Sequence, residues 1–127
     1  MKTNKTQIVE INQTNFNAEV LESTQPVIAA FLAPWSRPCR IIGPVLNEVA
    51  LASAGKLKIV RIDADNFPDL GIWYDIRSIP TLLCFINREV CVRVVGTASK
   101  EAILSKVEPF LSRTNISSKS QNNKPTT

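Results

Sequence analysis

Cys39, Cys84 and Cys91 are the thiols of this 127-residue chain, which contains no histidine. Cys39 lies in the run Trp35-Ser36-Arg37-Pro38-Cys39-Arg40. A cysteine between two arginines in the first turn of a helix has its thiolate favoured electrostatically. Burial acts in the opposite direction. Such a thiolate can attack a disulfide sulfur, take a glutathionyl cap or be oxidised by peroxide. Ser36 cannot do this chemistry. A serine nucleophile needs a general base, and this neighbourhood offers none. The residue type and position suit a helix N-cap instead. Its oxygen would accept from the Cys39 backbone N–H, worth ~1 kcal/mol over alanine.

Cys84 and Cys91 form a second constellation. Asn87-Arg88 reads as a two-residue hairpin turn. That turn pairs Ile86 with Glu89, Phe85 with Val90 and Cys84 with Cys91. Directly opposed Cα atoms lie about 5.5 Å apart in a hydrogen-bonded pair, within disulfide reach. The two thiols are therefore either small packed hydrophobes or a strained, easily reduced secondary redox pair. No His/Cys cluster has metal-ligand spacing, so neither metal nor cofactor is expected.

The elements that position these groups alternate. Ile8–Ile11 is a short strand. Thr14 or Asn15 caps a helix reaching about Glu22, with Phe16, Val20 and Leu21 on its apolar face. Val27–Ala33 is a continuous apolar run, the pattern of a buried central strand. A helix follows from about Arg37 to Ala54, with Pro44 kinking it and Gly55 suiting its end. Leu57–Ala64 is a β-branched strand. Phe67–Tyr74 is a short helix in which Trp73 and Tyr74 are expected to pack as an aromatic pair, the alternative being an exposed interaction patch. Thr81–Ile86 and Glu89–Val95 are strands. Ser99 caps a last helix to about Leu111. The order β-α-β-α-β-α-β-β-α implies an α/β fold with a mixed central sheet flanked by helices.

Length and composition fit one domain with a real core. Hydrophobic residues make up 44% and charged residues 20% of the chain, as in ordinary globular proteins. Residues 1–6 read as a flexible N-terminus, 7–112 as the folded domain and 113–127 as a disordered basic polar tail. The net charge of +4 misleads. Of fifteen Lys and Arg, five (Lys2, Lys5, Arg113, Lys119 and Lys124) lie in the ends, leaving ten against eleven Asp and Glu. The body has no basic stripe, so nucleic acid is not an expected partner. No apolar run approaches the ~18 residues of a membrane helix, and no signal-peptide core follows the start. A monomer in a reducing, cytoplasmic compartment is expected.

Together these segments resemble the thioredoxin family across about residues 8–112. Phe31-Leu32-Ala33-Pro34-Trp35 is similar to the strand leading to that family's active site. Pro38-Cys39-Arg40 and Pro44 are similar to its active-site helix. Asp63 falls in a typical third strand. Ile76-Arg77-Ser78-Ile79-Pro80-Thr81 resembles the cis-proline loop, and Val95-Gly96 the glycine closing the binding face. The resemblance implies the thioredoxin fold, thiol–disulfide exchange and a peptide groove made by Trp35, Arg37, Pro38, Ile79, Pro80 and Gly96. Partner proteins carrying thiols or disulfides would lie in it as extended segments.

The departures bear on activity. Ser36 stands where the family has its attacking cysteine. Ala30 stands where it buries an aspartate that assists proton transfer at the second cysteine. Arg61 replaces the lysine paired with that aspartate. Leu32 replaces an aromatic, while Arg37 and Arg88 replace glycines. The resemblance therefore implies weak or monothiol exchange through Cys39 together with partner binding. The alternative is a non-catalytic binding or scaffold module. Were Ser36 an introduced replacement of cysteine, an ordinary disulfide reductase would be implied.

Overall fold

The structure is a computed structural model that describes residues 8–120 except Gln13 and Ala54, with side chains through Leu111. The chain order is β1 (Val9–Glu10), a short π-helix (Asn17–Leu21), β2 (Val27–Leu32), α1 (Arg37–Ala52), β3 (Lys58–Asp63), α2 (Pro68–Trp73), β4 (Thr81–Ile86), β5 (Glu89–Val95) and α3 (Lys100–Ser120). One sheet holds the strands in the order β1-β3-β2-β4-β5. β1, β3 and β2 run parallel. β4 is antiparallel to β2, and β5 to β4. This is the expected mixed sheet.

β2 is apolar throughout because both of its faces are covered, as central strands of such sheets require. Ile28 and Ala30 face a core shared with Ile42, Leu46 and Val49 of α1 and Ile103 and Val107 of α3. Val27, Ala29 and Phe31 face the other core, with Phe16, Val20, Leu70 and Phe85. Helices α1 and α3 thus pack on one layer, and the π-helix and α2 on the other. Lys58 binds Glu19 across the edge of the second layer.

Several expectations change in detail. The first helix is a π-turn: Glu22 N–H donates to the Asn17 carbonyl at 2.8 Å. Its entry is organised by Asn12, whose Oδ1 accepts from the backbone N–H groups of Thr14 and Asn15. An asparagine side chain binding backbone two and three residues on is a turn former, and it displaces Thr14 and Asn15 from the capping role. α1 runs unbroken through Pro44, and Gly55 takes φ +84° after its end. α3 is capped by Ser99, whose Oγ accepts from Ala102 N–H at 3.0 Å. It continues past Leu111 to Ser120, with no glycine or proline between Pro109 and Ser120 to stop it. The expected flexible segment 1–6 and the residues 121–127 of the expected tail lie outside the described residues.

The hairpin is the clearest correction. Asn87 and Arg88 both have positive φ, 52° and 74°, the geometry of a two-residue turn that matches strand twist. Ile86 pairs with Glu89 and Phe85 with Val90, as expected. The ladder then slips, and Cys84 pairs with Val92. Cys91 is the extra residue of a β-bulge, so it does not stand opposite Cys84. Cys84 is buried, Cys91 half-buried, and both are free thiols.

Candidate active site

The first turn of α1 starts from a capped end. Ser36 has extended backbone, φ −86° and ψ 121°, and its Oγ accepts from Cys39 N–H at 3.3 Å. Pro38 lies in the first turn, where its missing N–H costs nothing. Ser36 is 4% and Cys39 5% exposed. The Cys39 sulfur accepts from Ala33 N–H at 3.4 Å. Ser36 therefore works as the cap that its type and position foretell.

The two residues open onto different spaces. Ser36 lines an open groove of about 840 Å³ with Trp35, Pro38, Ile72, Ile76 and Ile79. Cys39 lines a separate cleft of about 370 Å³ with Leu32, Arg40, Gly43, Arg61 and Glu10. No residue lines both.

The groove is held open by specific bonds. Trp35 is 67% exposed, and its indole N–H donates to Asp65 Oδ2 at 2.7 Å. The Ile79–Pro80 peptide is cis. Gly96, at φ +87°, donates its N–H to the Pro80 carbonyl at 2.8 Å. Thr81 Oγ1 donates to the Ser78 carbonyl at 2.7 Å and braces the loop from within. Arg93 reaches across from β5 to the carbonyls of Tyr74 and Asp75. Of the expected groove residues, Trp35, Pro38 and Ile79 line the cavity. Arg37, Pro80 and Gly96 do not, although Pro80 and Gly96 fix the loop that carries Ile79.

The arginines of the cleft are held by partners on its own walls. Ala30 and Arg61 are register partners on β2 and β3, and Ala30 is fully buried. With no carboxylate at that position, Arg61 turns to Glu10 on β1, with Nη2 at 2.6 Å and Nε at 2.8 Å from Oε2. Arg40 donates to the Pro34 carbonyl at 3.1 Å. Both arginine heads at the cleft are thereby engaged by other cleft residues, Glu10 and Pro34. Among the described residues no group of three His, Cys, Asp or Glu side chains could hold a metal ion.

Sequence reasoning missed two contributors. Asp65 and Arg93 act over long separations that no local pattern announces. Trp73 is exposed rather than stacked on Tyr74, the alternative of its two expected readings. Tyr74 packs instead on Phe85 and Phe16, at ring distances of 5.3 and 6.0 Å. Leu70 and Tyr74, one helical turn apart, face the core, which forces Ile72 and Trp73 outward. That spacing was available as a signal.

Comparison with known proteins points to one family. Residues 7–109 match the family model described as Thioredoxin. The chain is 42% identical over 101 residues to a chloroplastic M-type thioredoxin of Chlamydomonas reinhardtii, covering 80% of this chain and 72% of that one. It is 39% identical over 107 residues to a thioredoxin of Griffithsia pacifica, covering 84% and 98%. It is 40% identical over 101 residues to thioredoxin C-2 of Corynebacterium nephridii, covering 80% and 94%. A buried cysteine in the first turn of a capped helix, a cis-proline loop beside it and this agreement over most of the chain lead to one assignment: the chain belongs to the thioredoxin family of redox proteins.

Proposed function

We propose that this protein binds extended segments of partner proteins in the groove of Trp35, Pro38, Ile72 and Ile79, without dithiol turnover. The observation carrying this reading is the division of space at the start of α1. The open groove is lined by Ser36, whereas Cys39, buried to the same degree, lines another cleft. A disulfide lying in the groove meets a hydroxyl, which cannot displace a sulfur from it. The groove lining is largely apolar and fixed by loop hydrogen bonds. Recognition by backbone pairing and side-chain pockets needs no thiol.

A second reading is favoured by the cleft. Cys39 thiolate attacks a small disulfide RSSR′, forming a Cys39–S–S–R bond and releasing R′S⁻. The cleft suits reagents of that size rather than a protein segment. All three cysteines are free, which suits a reducing compartment.

Reduction of a disulfide-bonded protein substrate, with a dithiol as electron source, tests the reading. The protein itself, Ser36→Cys and Cys39→Ala are compared. Turnover only in Ser36→Cys is expected. Turnover by the unaltered protein that vanishes in Cys39→Ala would instead establish a monothiol enzyme. Absence of turnover in Ser36→Cys would remove the claim that the groove accepts protein disulfides.

A further inference from the structure

Helix α2 presents exposed apolar residues that the fold does not use. Ile72 is 74% and Trp73 72% exposed. The core contact of α2 comes from Leu70, and the neighbouring ring contacts come from Tyr74. Ile72 lines the groove beside Ser36. Trp73 lines a second cavity, of about 390 Å³, on the other side of α2.

The chemistry of that second cavity is selective. Asp69 precedes Trp73 by four residues, so carboxylate and indole stand on one helical face. Among the described residues Asp69 is the only charged one in the lining, and it makes no ion pair with any of them. Asn12, Asn17 and Asn66 supply amides around it, and Phe67 adds a second aromatic wall. A cation over an indole face is attracted by the ring quadrupole. A neighbouring carboxylate adds a charge-assisted hydrogen bond. A neutral apolar occupant would instead strip water from Asp69 and the amides without replacing it. An anion would be repelled.

We propose that Asp69 and Trp73 form a subsite for a basic side chain of the partner protein whose neighbouring residues occupy the groove. This rests on the reading of the groove as a site for extended protein segments. Arginine fits best, because its planar guanidinium stacks on an aromatic face while its N–H groups meet a carboxylate. Pro68 lines both cavities, so a single extended segment crossing α2 spans them. The partner segment thus carries apolar residues for the Trp35–Ile79 side and an arginine or lysine for the Trp73 side.

Selection from a library of random short peptides, run on the full chain, tests this. The same selection is run on Asp69→Asn, Asp69→Lys and Trp73→Ala. Peptides enriched by the unaltered protein should combine apolar residues with a basic residue at a fixed spacing. The basic preference should disappear in Asp69→Asn and Trp73→Ala and turn acidic in Asp69→Lys, while the apolar preference persists in all four proteins. In a resynthesised peptide, replacing the basic residue by norleucine should weaken binding about three- to thirtyfold. Apolar enrichment without a basic preference would overturn the subsite and leave the groove standing. A basic preference unchanged by all three substitutions would also overturn it. No enrichment of any kind would remove the groove and the subsite together.

Discussion

Two cavities flank the first turn of α1, and they differ in what they can reach. The groove beside Ser36 is wide, apolar and braced by side chains from four segments of the chain. The cleft beside Cys39 is less than half its volume and is bordered by arginines already bound to Glu10 and the Pro34 carbonyl. In a protein with cysteine at 36, the groove would deliver a partner disulfide onto a thiol. Here Ser36 and the remaining thiol line separate spaces. On the reading proposed above, serine at 36 therefore does more than slow a reaction, because it separates the binding surface from the chemistry.

The strongest way to sharpen that comparison is to reunite the two. Ser36→Cys puts a sulfur where the groove delivers its occupant and leaves Cys39 to resolve the mixed disulfide. Turnover should rise by on the order of 10²-fold or more, since a nucleophile is being supplied where none existed. Initial rates of protein-disulfide reduction provide the measurement. A measurable rise that stays under tenfold would mean that Ala30 and Arg61 limit the chemistry as much as Ser36 does, whereas no turnover at all would count against the groove as a site for protein disulfides.

A second test compares reagents of different size at Cys39. Cys39 is buried at a cleft of about 370 Å³, so size should govern access, and iodoacetamide should modify Cys39 at least roughly tenfold faster than a bulky maleimide does, after correction for their intrinsic rates. A peptide bound in the groove should not slow the small reagent. Peptide mapping by mass spectrometry reads both results. Protection of Cys39 by the groove peptide would break the separation of the two spaces.

The hairpin supplies a contrasting thiol. Cys84 lies mid-strand in the sheet core and lines neither the groove nor the Cys39 cleft. Burial, and then the neighbouring Cys91, push the Cys84 thiol up to about 12 from an ordinary value of 9.0. In the unfolded chain this thiol ionises near its ordinary value, while the folded protein keeps it protonated. Its contribution to stability is therefore complete below about pH 9. It should decline as pH rises from about 9 to about 12, by up to roughly 1.4 kcal/mol per pH unit. Urea unfolding of the protein and of Cys84→Val across that range isolates the effect, because valine does not titrate. Equal pH slopes for the two proteins would show that Cys84 is not held neutral by the core.

Much of the fold was legible because its signals are local. The apolar run Val27–Leu32, the cap at Ser36 and the turn at Asn87-Arg88 each follow from neighbouring residue types. The position of Cys39 in the first turn was legible for the same reason. The bulge was not. A one-residue slip between β4 and β5 puts Val92 opposite Cys84 and separates Cys91 from it, without leaving a local mark. The link from Trp35 to Asp65 was equally hidden, because it joins the ends of β2 and β3 through the tertiary fold. Division of the site into groove and cleft was invisible as well. It arises from the direction of adjacent helical side chains relative to the sheet, which a motif such as Ser-Arg-Pro-Cys does not encode.

The smallest expected effect concerns Ser36 itself and separates its two possible uses. If its hydroxyl serves as the cap of α1, Ser36→Ala should cost about 1 kcal/mol through loss of the bond to Cys39 N–H. Ser36→Thr, which keeps the hydroxyl, should cost less. Peptide affinity should change little in either, since the groove is lined mainly by Trp35, Pro38, Ile72 and Ile79. Chemical denaturation with peptide titration on the same samples resolves the two contributions. An alanine variant as stable as the parent but deficient in binding would reverse the assignment. Ser36 would then be a contact made with the partner, and the first turn of α1 would hold without its cap.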